Sequence, residues 1–324
     1  MAINSRKMVE DAKQFIKYEK DRKTKIATLT LNRPERMNAP GSGMRRLYAE
    51  LIQKANIDDD VKVLVIRGAG NDLGTGADIS RDELGNQFGV EEVSLLYEFG
   101  IDDDDVTYPP VASYRHLGQL ADFFGTARSG SRPLQEFKKI SILEVKGYCY
   151  GWHFYQAADA DLVISSDDAL YGHAAFRYAG WGPRLWQWME TMGQRKFAEM
   201  LFTGRPFTAA EMDKIGFINS LVARDQLEAE TDKYARACAR TRPTDTVVVQ
   251  KTIMEVYKQH RGEYMGSVLT GMAEAMTRYM VPDSDEDVEV GADELDAGIN
   301  NAVKDFDMGY PPEFRLSRGN RRKP

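Results

Sequence analysis

The sequence predicts an α/β fold with a helical C-terminal subdomain, on three observations. Strand and helix signals alternate along the first two thirds of the chain; several strands are continuous apolar runs of the buried kind; and beyond Asp225 strand signals give way to long helical patterns. The chain has 324 residues, 42% hydrophobic and 29% charged, enough for one large or two ordinary domains with a substantial core. That length excludes a disulfide-stapled miniprotein. No segment approaches the roughly 18 consecutive apolar residues of a membrane span. Residues 1–15 carry Arg6, Lys7, Glu10 and Asp11 in place of an apolar signal region, and the only cysteines are Cys149 and Cys238. A cytoplasmic, reducing location is expected, with neither cysteine bonded.

After the charged leader, Ile26 to Leu31 is rich in β-formers and is stopped by Asn32-Arg33-Pro34. From Met44 the apolar residues Leu47, Leu51, Ile52 and Ala55 recur at helical spacing, and Asp58 to Asp60 ends that helix. Val61 to Ile66 follows as a buried strand running into Gly68-Ala69-Gly70, which completes one β-α-β unit. A second unit comprises a strand over Ile140 to Val145, a helical stretch from Gly147 through Ala160, and a strand over Leu162 to Ser165. Helices are predicted from about Leu185 to Met192 and Gln194 to Phe202. A Thr208-x-x-Glu211 capping box then starts a short helix ended by Gly216, and Phe217 to Val222 returns as a strand. Helices from about Gln226 to Ala239, Thr244 to Gln259 and Glu263 to Met280 complete the pattern. The expected organisation is a core over 1–225, a lid-like insertion at about 80–136, a helical oligomerisation region over 226–281 and a charged tail over 282–324.

The net charge is −7, from 43 basic and 50 acidic residues. Asp283 to Asp296 holds eight acids and no base, whereas Arg315, Arg318, Arg321, Arg322 and Lys323 crowd the last ten residues. On an acidic body this basic end is expected to pack against an acidic neighbour and to bind neither nucleic acid nor a membrane.

The glycines at Gly68, Gly70, Gly74 and Gly76 follow a strand, but their spacing is not that of a dinucleotide-binding loop opening into a helix. Four motifs carry a different likeness. Leu31-Asn32-Arg33-Pro34-Glu35-Arg36-Met37-Asn38-Ala39, Gly74-Thr75-Gly76-Ala77-Asp78-Ile79, Val145-Lys146-Gly147-Tyr148-Cys149-Tyr150-Gly151 through Asp161-Leu162, and Phe202-Thr203-Gly204-Arg205-Pro206 through Asn219 occur in order. They resemble the LNRPxxxNA turn, the FxAGADI loop, the NGYxxGGGxELxxxCDL segment and the LTGRPxxAxEAxxxGLVN segment of the crotonase (enoyl-CoA hydratase/isomerase) superfamily.

That resemblance implies a crotonase-like ββα spiral core and an enzyme that stabilises the enolate-like oxyanion of an acyl-CoA thioester with two backbone N–H groups. By position the donors are Ala77 and Trp152, the latter at a helix N-terminus. The acyl-CoA is expected along Arg36, Asn38, Ala39, Gly76, Asp78 and Ile79, with coenzyme A entering as part of the substrate and no permanently bound cofactor. The resemblance also implies a homotrimer or a dimer of trimers assembled through the C-terminal helices.

The acid/base side chains depart from the family pattern. Tyr155 and Ala175 occupy the two hydratase glutamate positions, and the triple glycine reads Gly151-Trp152-His153. Replacement candidates are His153, equally readable as a structural histidine; His173, read first as a surface-loop residue; and Tyr155, at least as readable as buried packing. Asp78 reads as holding its turn in preference to catalysis. His116 and His260 read as solvated. No metal is expected, since His153 and His173 lack the spacing of a zinc signature. Trp152, Trp181, Trp186, Trp188, Tyr148, Tyr150, Phe154 and Tyr178 read as core or as the lining of a pocket for a bulky or cyclic acyl group. Three functions follow: a hydratase, isomerase or lyase acting on an acyl-CoA; a C–C bond hydrolase of a cyclic β-diketone or ring ketone, motivated by His153; or a non-catalytic acyl-CoA-binding or scaffold protein.

Overall fold

Apolar runs flanked by turns fold here into parallel strands buried on both faces. In the computed structural model, which describes residues 5–78, 109–110, 113–125, 132–178, 182, 184–276 and 306–322, the strands are β1 (Ile16–Asp21), β2 (Ile26–Leu31), β3 (Val63–Gly68), β4 (Ile140–Val145), β5 (Tyr148–Tyr150), β6 (Leu162–Ser166), β7 (Leu170–Gly172), β8 (Phe207–Thr208) and β9 (Ser220–Val222). Six of them form one sheet in the order β1-β2-β3-β4-β6-β9, parallel except for the antiparallel β1 edge. The remaining three form a small sheet, β5-β7-β8.

Side chains alternate across the large sheet and define two cores. On one face Ala27, Leu29, Leu31, Leu64, Ile66, Leu143 and Val145 meet Leu47, Tyr48 and Ile52 of the helix Ser42–Ile57, together with an aromatic cluster around Trp188. On the other, Val63, Val65, Ile142 and Ile164 meet Leu227 and Ala235 of the helix Leu227–Arg240. Each fully buried aliphatic side chain here contributes about 1.5–3 kcal/mol. The helix at 227–240, grouped by sequence with the C-terminal region, is therefore the second cover of the central sheet.

Several boundaries differ from the sequence reading, each for a physical reason. The leader contains an amphipathic helix, Ser5–Ala12, and the strand β1, whose charged side chains alternate with Ile16 and so mask its period. The helix expected from Gly147 begins only at Trp152, because Tyr148 to Tyr150 pair with β7 between two glycines of positive φ, Gly147 and Gly151. The strand expected from Phe217 begins at Ser220, since Phe217 and Ile218 turn into the core. The Thr208–Glu211 capping box forms as read, with both reciprocal bonds in place. Most of the insertion at about 80–136 lies outside the described residues. Its helix Tyr114–Gly125 buries His116 completely, contrary to the solvated position expected. His260 is exposed, as read.

The described part of the charged tail, residues 306–322, is packed on the body. Asp307 and Arg177, both essentially fully buried, pair at 2.8 Å. Asp307 also accepts from the backbone N–H of Leu316 and Ser317 and from the Asn320 side-chain amide, at 2.7, 3.1 and 3.0 Å. Removing one partner strands the other charge in the interior. Asp307→Ala is expected to destabilise the fold by about 3–5 kcal/mol, measured by chemical denaturation.

Candidate active site

Two loops, from distant parts of the sequence, meet at the end of the small sheet. The first, residues 71–78, runs beside β5: Gly74 N–H donates to the Tyr148 carbonyl at 2.7 Å, and Tyr150 N–H donates to the Gly74 carbonyl at 3.0 Å. The loop crosses the second segment where Gly76 passes Gly151. A Cβ on Gly151 would sit 3.0 Å from the Gly76 Cα, and Gly76 itself has φ of 103°. Gly151, with φ of 53°, shares that positive-φ backbone, which strains any residue carrying a side chain. Ala77 and Trp152 follow immediately after the crossing, Trp152 as the first residue of the helix Trp152–Asp159. The early N–H groups of a helix have no partner within it and, with the dipole, favour negative charge.

The turn carrying Arg36, Asn38 and Ala39 is the bed of the first loop. Asn38 is fully buried with φ of 54°; its side-chain oxygen accepts from Arg33 N–H at 2.9 Å, and its amide donates to the carbonyls of Ala69 and Asp72 at 3.0 and 2.9 Å. Asp78 is buried and pairs with Arg33 at 2.6 Å, so it holds the turn. Asn38 and Asp78, which the sequence offered as ligand contacts, thus spend their side chains on the scaffold. Ala39 is buried beside them, Arg36 is exposed at the rim, and Ile79 lies outside the described residues.

The bulky residues replacing glycines do not obstruct the crossing. The Trp152 indole turns back into the core, edge-on to Tyr48 with ring centroids 4.8 Å apart. His153 lies beneath the first loop, its ring so close to Gly74 that a Cβ there would stand 2.1 Å away. Its Nδ1 accepts from Gly76 N–H at 3.1 Å, which places the proton of the neutral ring on Nε2, where it makes no hydrogen bond. Burial lowers its pKa to about 3, while the backbone of Tyr150 and Asn38 acts in the opposite direction. His153, an acid/base candidate by sequence, is thus buried under Gly76.

Tyr155 and His173 are brought together instead. The Tyr155 hydroxyl lies 3.2 Å from His173 Nε2, and the two rings meet edge to face at 5.4 Å. A Cβ on Gly151 would come within 3.6 Å of His173 Nδ1, so the imidazole borders the crossing. His173 keeps some solvent contact, yet the rings of Phe176 and Trp188, 5.0 and 5.8 Å away, surround it, and burial lowers its pKa to about 3. At neutral pH the pair is uncharged. A neutral imidazole against a phenol can accept or donate a proton at a carbon or oxygen beside it.

The aromatic lining expected from the sequence is mostly core. Trp188 is fully buried and stacks on Phe154 at 4.7 Å, while Trp186 packs against Gly262 in the turn before the helix Glu263–Met276 and against Gly266 within it. Tyr148 and Tyr150 are engaged by the C-terminal segment. Trp181 and the Tyr178 side chain lie outside the described residues. These positions give no geometric support for a bulky acyl pocket. Sequence reasoning missed Asp72, Arg318 and Leu316, which tie the two loops together; the cluster of basic residues at the C-terminal end was the only signal for them.

Both depressed histidine pKa values link folding to pH. An unfolded histidine binds a proton near pH 6.5 while the folded one does so only near 3, so stability is full above about 6.5 and falls as pH decreases toward 3. For His153 alone the loss at pH 5 is about 2 kcal/mol. Calorimetric melting at pH 5 and 7.5 is expected to show a drop that His153→Asn, which does not titrate, reduces.

Comparison with known proteins places this arrangement. The family model described as enoyl-CoA hydratase/isomerase matches residues 113–276. Mevalonyl-coenzyme A hydratase sidH of Aspergillus fumigatus is 27% identical over 252 residues, covering 75% of this chain and 77% of the relative. A probable mitochondrial enoyl-CoA hydratase of Dictyostelium discoideum is 24% identical over 251 residues, covering 76% and 78%. Among solved structures, an enoyl-CoA hydratase of Mycobacterium smegmatis shares the fold with a TM-score of 0.72 at 21% identity, covering 94% of this chain and 97% of that one. No helix among the described residues is long and apolar enough to cross a membrane. With a family model matched over half its length and the crotonase architecture in its sheets, the chain belongs to the enoyl-CoA hydratase/isomerase family of the crotonase superfamily.

Proposed function

We propose that this enzyme moves a proton at the carbon next to an acyl-CoA thioester carbonyl, holding the resulting enolate oxygen on the N–H groups of Ala77 and Trp152. The observation that carries the reading is the Gly76–Gly151 crossing with the Tyr155–His173 pair beside it. Removing one preorganised donor typically costs roughly 2.7–4 kcal/mol of transition-state stabilisation, so a main-chain device explains how the family chemistry can survive loss of both glutamates. In this reading His173 takes the α-proton, Tyr155 holds the imidazole and lends or accepts the second proton, and the electron pair moves onto the thioester oxygen. Coenzyme A is needed only as part of the substrate.

Hydration or its reverse is the reaction best supported, since the relatives reported above bear hydratase names. C–C hydrolysis of a ring ketone is the weaker reading, because His153, which motivated it, is buried under Gly76. Turnover without CoA would favour it nonetheless. The same reading includes a cytoplasmic location and assembly as a homotrimer or dimer of trimers. The helices Thr244–His260 and Glu263–Met276 support assembly by exposing Val249, Ile253, Val256, Met265 and Leu269.

Three measurements test the proposal. Exchange of α-deuterium from acyl-CoAs, followed by NMR, is expected to fall about 10²–10⁴-fold in His173→Gln and Tyr155→Phe with thioester binding nearly unchanged; full exchange in both variants, or no exchange with any acyl-CoA in the parent, overturns it. Because His173 stays neutral down to about pH 3, the rate profile should lack an acid limb at the ordinary histidine value near 6.5. Light scattering should give three or six times the 36.6 kDa chain mass; a monomer contradicts the assembly.

A further inference from the structure

The C-terminal segment joins the two loops at a point the family chemistry does not explain. Arg318 N–H donates to the Tyr148 hydroxyl at 2.7 Å, and its guanidinium lies 4.2 Å over the Tyr148 ring. The same guanidinium pairs with Asp72, whose Oδ1 also accepts from Tyr148 N–H at 2.9 Å. Two residues further along the same strand, the Tyr150 hydroxyl donates to the Leu316 carbonyl at 2.8 Å, and the Leu316 side chain is buried against Tyr150 and Leu170. Asp72 lies five residues before Ala77 and Tyr150 two before Trp152, so one short segment grips the approach to each donor. Its own position is fixed from behind by the buried Asp307–Arg177 pair.

A purely structural strap would need only the apolar contact of Leu316 and the Asp307 anchor. The Arg318–Asp72–Tyr148 cluster adds something different. It couples the first loop to β5 through a shared carboxylate oxygen, next to Gly147, where a Cβ would stand 2.2 Å from Asp72 Oδ1. The join is close and charged, so the separation of the two loops is set by side-chain chemistry as well as by the backbone ladder at Gly74.

We propose that Arg318, acting through Asp72 and Tyr148, is a positioning residue that sets the spacing of the Ala77 and Trp152 donors and thereby their hold on the enolate. This inference rests on the reading of those two amides as the oxyanion donors. A positioning effect acts on the transition state and leaves ground-state binding largely alone, and misplacement of about 1 Å can cost around 10²-fold.

The test uses the full chain with acetoacetyl-CoA, whose enolate has its own near-ultraviolet absorbance, so that enolate fraction and affinity are read from one titration. Arg318→Ala is expected to lower the bound enolate fraction by roughly tenfold or more, with affinity changed less than about threefold. Arg318→Lys should restore part of it, since a lysine keeps the charge without the planar fork. Tyr148→Phe, which deletes only a hydroxyl, should lower it by a smaller factor, and it decides the matter if Arg318→Ala does not fold. Lys233→Ala, at an exposed helix pair remote from the loops, is the unaffected control. Parent-like enolate in both Arg318→Ala and Tyr148→Phe overturns the proposal while leaving the donor reading intact, as does enolate loss that merely tracks loss of affinity. Absence of bound enolate in the parent protein overturns the donor reading and this inference with it.

Discussion

The candidate chemistry depends on the close passage of Gly76 by Gly151, where a Cβ on Gly151 would be crowded against the Gly76 Cα. Its closeness is enforced from three sides. The ladder at Gly74 holds the first loop to β5; Asn38 pins the base of the loop through three hydrogen bonds; and His153 fills the space beneath Gly74 and accepts from Gly76 N–H. Each constraint satisfies buried polar groups that would otherwise be left without partners. The site is thus a by-product of closing the backbone hydrogen-bond accounts where two loops cross.

The same crowding surrounds the proposed acid/base pair. Tyr155 and His173 sit among Phe176, Trp188 and Phe154, an apolar shell in which an unpaired carboxylate would be strongly disfavoured. A phenol and a neutral imidazole hydrogen-bonded to one another tolerate that shell without a fixed charge. Replacing glycine by Trp152 and His153 belongs to the same change. Both rings turn inward, and every residue of the helix Trp152–Asp159 is buried.

Charge in the rest of the molecule is arranged by local pairing. Arg318 of the basic end meets Asp72 and Asp168 of the body, and in the opposite sense Asp307 of the tail pairs with the body's Arg177. Deeper inside, Arg184 pairs with both Asp159 and Glu263, linking the helix Trp152–Asp159 to the C-terminal helices, and Arg132 also pairs with Glu263. Pairs this well buried define geometry more than they add stability.

Local pattern carried far: the strands Ile26 to Leu31 and Ile140 to Val145, the Thr208–Glu211 box, the helix from Leu185 and the two crossing loops are all legible because period, caps and turn residues act over a few neighbours. The motif order identified the superfamily and pointed to Tyr155 and His173 as candidates. Whether a histidine is buried or paired depends on what packs against it, and only the tertiary structure buried His153 and paired His173 with Tyr155. The tail, too, read as bare charge until folding set Arg318 against Asp72, 246 residues away in the chain. Sequence thus determined the elements and their family; the fold decided the environment of each ionisable side chain, because burial and pairing are made by residues distant in sequence.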